Sequence, residues 1–186
     1  MQTATEILAQ PFGTLPALIA AHARERGDKP AIVHGEASLT YAQLDASMDV
    51  IAAALQRDGV APRQAVAIVG TTSLDYAVVF LGAIRAGCAP APIAPSSTGE
   101  QMAAMIADCA APLLFLDAEA AATVGDRPVA AKRVVLDGSG AGAALAEWLG
   151  DGAVPDPVAI GPDGPFNIIY SSRTTRTPKG IVQPHA

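Results

Sequence analysis

The chain has 186 residues, 51% hydrophobic and 16% charged, with a mean hydropathy of +0.32, so it buries a sizeable core in one or two compact units. An extended, disordered polymer is excluded. Twelve basic against eighteen acidic residues give a net charge of −6, which argues against a surface built to embrace nucleic acid or an anionic membrane. An aromatic content of 4% suits small-residue helices on a sheet rather than an aromatic-rich sandwich.

In chain order, Leu15, Leu18, Ile19 and Ala23 recur at helical spacing between Thr14 and Gly27, and Gly27 supplies the stop. Pro30 to Val33 reads as a strand, His34-Gly35-Glu36 as a turn and Ala37 to Thr40 as a second strand pairing back. Thr40 is placed to cap a helix from Tyr41, with Leu44, Met48, Ile51, Ala52 and Leu55 on one face and Gly59 at its end. Ala65 to Val69 is a continuous apolar run, typical of a strand buried on both faces. A helix from Ser73 to Arg85 follows, then strands over Ala89 to Ile93 and Leu113 to Leu116 with a helix from Gly99 to Cys109 between them, and a last strand over Val134 to Leu136. The alternation predicts an α/β fold with a parallel-rich sheet flanked by helices, its strands near 31–33, 65–69, 89–93, 113–116 and 134–136.

Residues 1–137 form this α/β subdomain on the sequence reading, and 138–165, rich in Gly, Ala, Pro and Asp, form a linker with a helical patch over Leu145 to Leu149. Residues 166–186 carry a strand, a loop and the start of a further segment. Cys88 and Cys109 lack any metal-ligand or disulfide pattern and read as buried free thiols. No leader peptide and no uncharged run long enough for a membrane span is visible, so a cytoplasmic protein is expected. His22 and His34 read as solvated, Tyr41 and Trp148 as packing residues, and His185 as structural rather than a general base.

The chemistry concentrates after the strand Phe166 to Tyr170, in Ser171-Ser172-Arg173-Thr174-Thr175-Arg176-Thr177-Pro178-Lys179-Gly180. No acidic residue occurs from Asn167 to Ala186, so Arg173, Arg176 and Lys179 give the window a charge of +3. Hydroxyls, a point-charge ammonium and loop amides together suit a polyphosphate. The segment is not a Walker loop: it has no glycine directly before Lys179 and no hydroxyl after it.

These residues resemble the phosphate-loop signature of the adenylate-forming superfamily, the acyl- and aryl-CoA synthetases, luciferases and nonribosomal-peptide adenylation domains. Leu39-Thr40-Tyr41-Ala42-Gln43-Leu44 is similar to an early element of that family. Leu81 to Pro92 and Gln101 to Leu116 are similar to its next two. The resemblance implies the first subdomain of the family's large N-terminal domain, as an N-terminal piece of an ATP-dependent carboxylate–CoA ligase that is inactive alone. It assigns Ser171, Ser172, Arg173, Thr174, Thr175, Arg176, Thr177 and Lys179 to ATP binding, with Ser171, Ser172, Thr174, Thr175 and Lys179 on the β- and γ-phosphates. The residues serving adenine, magnesium, the acid and catalysis lie downstream in the family, so no catalytic set is complete here. ATP, Mg and CoA are the implied cofactors and co-substrate, and a carboxylic acid, the missing remainder or a second copy the implied partners.

One departure bears on activity. Where the family carries glycine on either side of the Thr-Thr pair, this sequence has Arg173 and Arg176. Arginine forfeits the positive φ and close backbone approach that glycine permits, but offers a planar fork for phosphate. The alternative to a ligase is therefore a catalytically dead module that binds a phosphate-bearing ligand or a protein.

Overall fold

The computed structural model describes residues 1–150, 152–170 and 179–186. Helices α1 (Ala4–Leu8) and α2 (Leu15–Arg26) are followed by an antiparallel hairpin of β1 (Pro30–His34) and β2 (Ala37–Thr40), then by α3 (Tyr41–Arg57). Thr40 starts α3 through a reciprocal cap: its hydroxyl accepts from the Gln43 amide while the Gln43 side chain accepts from the Thr40 amide. The same device, Thr98 with Gln101, starts a later helix.

The core is a parallel sheet of β3 (Ala65–Val69), β4 (Ala89–Ile93), β5 (Leu113–Leu116), β6 (Lys132–Val135) and β7 (Ala143–Ala144), in the order β4-β3-β5-β6-β7. The crossovers are α4 (Leu74–Arg85), α5 (Gly99–Asp108) and α6 (Ala118–Val124), and α7 (Leu145–Leu149) follows β7. All five residues of β3 are buried, and their alternation sorts them onto two faces. Val66 and Ile68 join the cluster under α3 and α4, whereas Ala65, Ala67 and Val69 join the one under α5 and α6.

β4 forms one edge of this sheet and carries Pro90 and Pro92. The Ala89 amide donates toward β3's side, to the Gln64 carbonyl at 2.8 Å, so the two prolines of opposite parity present their missing N–H groups to the outer edge. Proline is tolerated in mid-strand at such an outer edge, where no ladder bond is lost. Across that edge packs a second antiparallel hairpin, β8 (Pro165–Tyr170) with β9 (Gly180–Pro184), as a separate two-stranded sheet.

Three expectations are corrected. Residues 31–33 do not join the parallel sheet: β1 pairs with β2, because Gly35 at φ +60° turns the chain straight back and Val33 stays 66% exposed, unlike a strand covered on two faces. His22 is not solvated. Its side chain is 12% exposed, its ring lies 5.0 Å from that of Tyr41, and Arg26 reaches its nitrogens, because α2 packs along α3. Cys109 is only half-buried, whereas Cys88 is fully buried. Helices α1 and α6 and strand β7 are too short to show a period, and sequence reasoning passed over them.

Trp148 of α7 is buried against Phe115 with ring centroids 5.0 Å apart. Its indole N–H donates to Asp58 Oδ2 at 2.9 Å, and that carboxylate also accepts from Lys132 and Arg57. Burial acts to raise the Asp58 pKa, but these three donors outweigh it and hold the carboxyl below its ordinary value. No helix among the described residues is long and apolar enough to cross a membrane.

Candidate phosphate-binding site

Tyr170 and Gly180 face each other as register partners at the end of the β8–β9 hairpin. The segment joining them in sequence is the hydroxyl-rich one. Ser171, Ser172, Arg173, Thr174, Thr175, Arg176 and Thr177 lie outside the described residues, and Lys179 is placed, exposed, one residue before β9. What the structure describes is the frame from which the segment departs and to which it returns.

That frame is built on three supports. Phe166 packs edge-on against Phe80 of α4 at 6.1 Å and against His185 at 5.3 Å. The His185 amide donates to the Gly164 carbonyl at 3.0 Å, and burial lowers the pKa of its ring, so this histidine packs as a neutral group. Ile168 enters the core under α5 and α6. Tyr170 Oη lies 2.9 Å from the Met105 carbonyl and 3.0 Å from Asp108 Oδ2, one hydroxyl proton between two acceptors. The same Asp108 oxygen accepts the Gly180 amide at 3.1 Å.

Burial, then the neighbouring Cys109 and Asp108, push the Tyr170 phenol well above its ordinary range, so it remains a donor at any working pH. Burial likewise raises the Cys109 thiol and pushes Cys88 up to about 12, which makes Cys109 a slow nucleophile and leaves Cys88 inert. Gly180 has no room for a side chain. A Cβ there would lie 2.7 Å from Ile168 Cγ2 and 3.2 Å from Tyr170 Oη and Cζ. Sequence reasoning found the loop but missed Asp108, whose one local signal is a carboxylate at the C-terminal end of a helix, where the macrodipole disfavours it.

A second polar cluster sits at the C-terminal ends of β3 and β5, where the strand order reverses and α/β folds commonly place ligands. Asp117 Oδ2 accepts the Thr71 amide and hydroxyl at 2.7 and 2.8 Å, and its Oδ1 accepts the Ala120 amide at 2.8 Å. Burial opposes ionisation there, yet these bonds keep the Asp117 pKa low. Asp137 accepts the Ala118 amide at 2.8 Å. Both carboxylates cap α6, and Asp117 also fastens the chain after β3. No group of three or more metal-ligating side chains occurs among the described residues.

The model of the AMP-binding enzyme family matches residues 19–186, from α2 through the hydroxyl-rich segment to the end of β9. The chain belongs to this family. It is 31% identical over 166 residues to the fatty acid–[acyl-carrier-protein] ligase ScoC of Streptomyces coeruleorubidus, an alignment covering 88% of this chain and 31% of that protein. It is 33% identical over 168 residues to the indoleacetate–CoA ligase of Aromatoleum aromaticum (strain DSM 19018 / LMG 30748 / EbN1), covering 87% of this chain and 33% of that one. In structure it is similar to a benzoate CoA ligase from Burkholderia xenovorans LB400, with a TM-score of 0.82 at 22% identity over 94% of this chain and 35% of that one. The chain thus spans about a third of the length of these relatives, and the structural likeness shows that it shares the fold of that ligase.

Proposed function

We propose that this chain is the N-terminal part of an ATP-dependent carboxylate ligase, forming an acyl-adenylate and passing the acyl group to a thiol, with CoA as the acceptor. The observation that carries the reading is the family match running through Tyr170 to Gly180, together with a hairpin whose two strands are anchored at the points where the segment leaves and rejoins the fold. Ser171, Ser172, Thr174, Thr175 and Lys179 hold the β- and γ-phosphates, with Thr177 beside them, and supply hydroxyl donors and an ammonium to the charge that grows on departing pyrophosphate. Magnesium, the acid and CoA are taken by residues that lie beyond position 186 in the family. The indoleacetate and benzoate specificities in the names of two relatives favour an aromatic acid and CoA. The carrier-protein ligase favours a fatty acid and a tethered thiol.

A second reading has its own observation, Arg173 and Arg176 in place of the family's glycines. On it the chain holds a phosphate-bearing ligand without turnover. Titration with Mg·pyrophosphate, followed by calorimetry, separates the two. The ligase reading expects an Arg173→Gly/Arg176→Gly chain to bind about tenfold or more tighter than the unaltered one, and Lys179→Ala to weaken that binding. The second expects the glycines to weaken it, because each lost arginine removes charge-assisted hydrogen bonds of about 1.5–3 kcal/mol. No binding by either chain overturns both.

A further inference from the structure

We propose that Asp108 is a positioning residue for the phosphate-binding segment, its single oxygen Oδ2 pinning the residue before the segment, Tyr170, and the residue after Lys179, Gly180, to the end of α5. The inference rests on the reading of that segment given above. It starts from the way the hairpin is attached. β8 runs beside β4 but cannot extend the parallel sheet, because Pro90 and Pro92 turn their nitrogens to that edge and offer no N–H to a neighbour. The hairpin is held by side chains, and at its loop end those side chains are Tyr170 and Asp108.

Three features converge on Asp108. Oδ2 accepts from the Tyr170 hydroxyl at 3.0 Å and from the Gly180 amide at 3.1 Å, so one atom fixes both stems. The carboxylate sits on the last residue of α5, in a last turn without a basic residue, where the helix dipole works against it. A residue placed against its local preference and meeting two distant donors is doing so for the tertiary bond. The helix beneath it is firmly seated, with Met102, Met105 and Ile106 in the core, so the pin refers the stems to the rigid sheet. Gly180 completes the arrangement, since any Cβ there would run into Ile168 and the Tyr170 ring that Asp108 holds.

The consequence is geometric. Lys179 is the last residue before the pinned amide and Ser171 the first after the pinned tyrosine. Fixing 170 and 180 fixes the span that the segment bridges, and a polyphosphate site is sensitive to displacements of about 1 Å. Asp108 touches no ligand and acts only through these two stems.

The test uses the whole chain and two readouts, amide hydrogen exchange at Gly180 and the affinity for Mg·pyrophosphate, the latter in the unaltered and Arg173→Gly/Arg176→Gly backgrounds. Asp108→Ala is expected to speed exchange at Gly180 by about tenfold and to weaken pyrophosphate binding by about as much, the change that loss of a charge-assisted hydrogen bond accounts for. Asp108→Asn keeps an acceptor oxygen and is expected to recover most of both. Tyr170→Phe removes one donor, keeps the fold's apolar contacts, and is expected to give a smaller loss that does not add to that of Asp108→Ala. Unchanged exchange at Gly180 in Asp108→Ala overturns the pin. Faster exchange with undiminished pyrophosphate affinity overturns its positioning role. Failure of both parent backgrounds to bind pyrophosphate overturns the proposed function instead, leaving the exchange result to judge the pin.

Discussion

Gly82 of α4 rests directly on Ile51 of α3: a Cβ at position 82 would fall 2.5 Å from both Cβ and Cγ2 of Ile51. The two helices close over Val66 and Ile68 at this point, and the contact leaves no space for a methyl group. Gly82→Ala is therefore expected to destabilise the protein. Alanine gains about 1 kcal/mol of helix propensity, but overpacking a seated β-branched side chain costs about 1–3 kcal/mol, for a net loss of up to about 2 kcal/mol. Urea unfolding checks it, and a rise in midpoint would show that α3 and α4 separate easily.

Trp148 is the single tryptophan of the chain, so its fluorescence reports the bond to Asp58 directly. Asp58→Ala leaves the buried indole N–H without its partner and is expected to cost about 1–3 kcal/mol at neutral pH. The pH dependence has a definite sign. The folded-state pKa of Asp58 is depressed, so its contribution is complete above the unfolded value of about 3.9 and is lost as pH falls through the lower folded value. Asp58→Asn is expected to flatten stability against pH below about 4. Parallel acid-unfolding curves for the two proteins would contradict the assignment.

Ala110 follows the cap of α5 with φ +49°, a left-handed conformation that costs a residue bearing a Cβ about 1–2 kcal/mol. Ala110→Gly relieves that strain while adding freedom to the unfolded chain, and a net gain of about 0.5 kcal/mol is expected. Thermal unfolding measures it. A loss of stability would mean that the Ala110 methyl group makes compensating contacts.

Cys88 is fully buried with its thiol raised to about 12, while Cys109 is partly accessible. A thiol reagent at pH 8 is expected to modify Cys109 slowly and Cys88 only after unfolding, as read by mass spectrometry of the native and urea-treated chain. Equal labelling of both in the native state would show that β4 opens on that timescale.

The main sheet was legible because β3, β4 and β5 are short apolar runs set between amphipathic helices, and Thr40, Ser73 and Thr98 mark where those helices begin. The hydroxyl-rich segment was legible for a different reason, a local suspension of acidic residues in an acidic chain. Asp108 was not, because its partners stand 62 and 72 residues away and no local period connects them. His22 shows the same limit: whether a helix-borne histidine meets water depends on Tyr41, which only the packing of α2 on α3 brings near. The membership of residues 31–33 in a sheet was misread since a strand's partner is chosen by its turn, and Gly35 had already chosen it.

The two prolines of β4 also matter outside the folded molecule. A parallel sheet that ends in a strand with open amides invites a stranger to add itself, chain upon chain. Here every second nitrogen along that rim is a ring nitrogen with nothing to give, so the longest border of the sheet cannot serve as a template for growth. Among the described residues the remaining rims are a two-residue strand at β7, the β1–β2 hairpin, where Val33 stands exposed, and the far side of β9, where Ile181 and Val182 do. Aggregation of this chain, where it occurs, should therefore start at a hairpin and spare the sheet, and charged residues at positions 33 and 182 should suppress it.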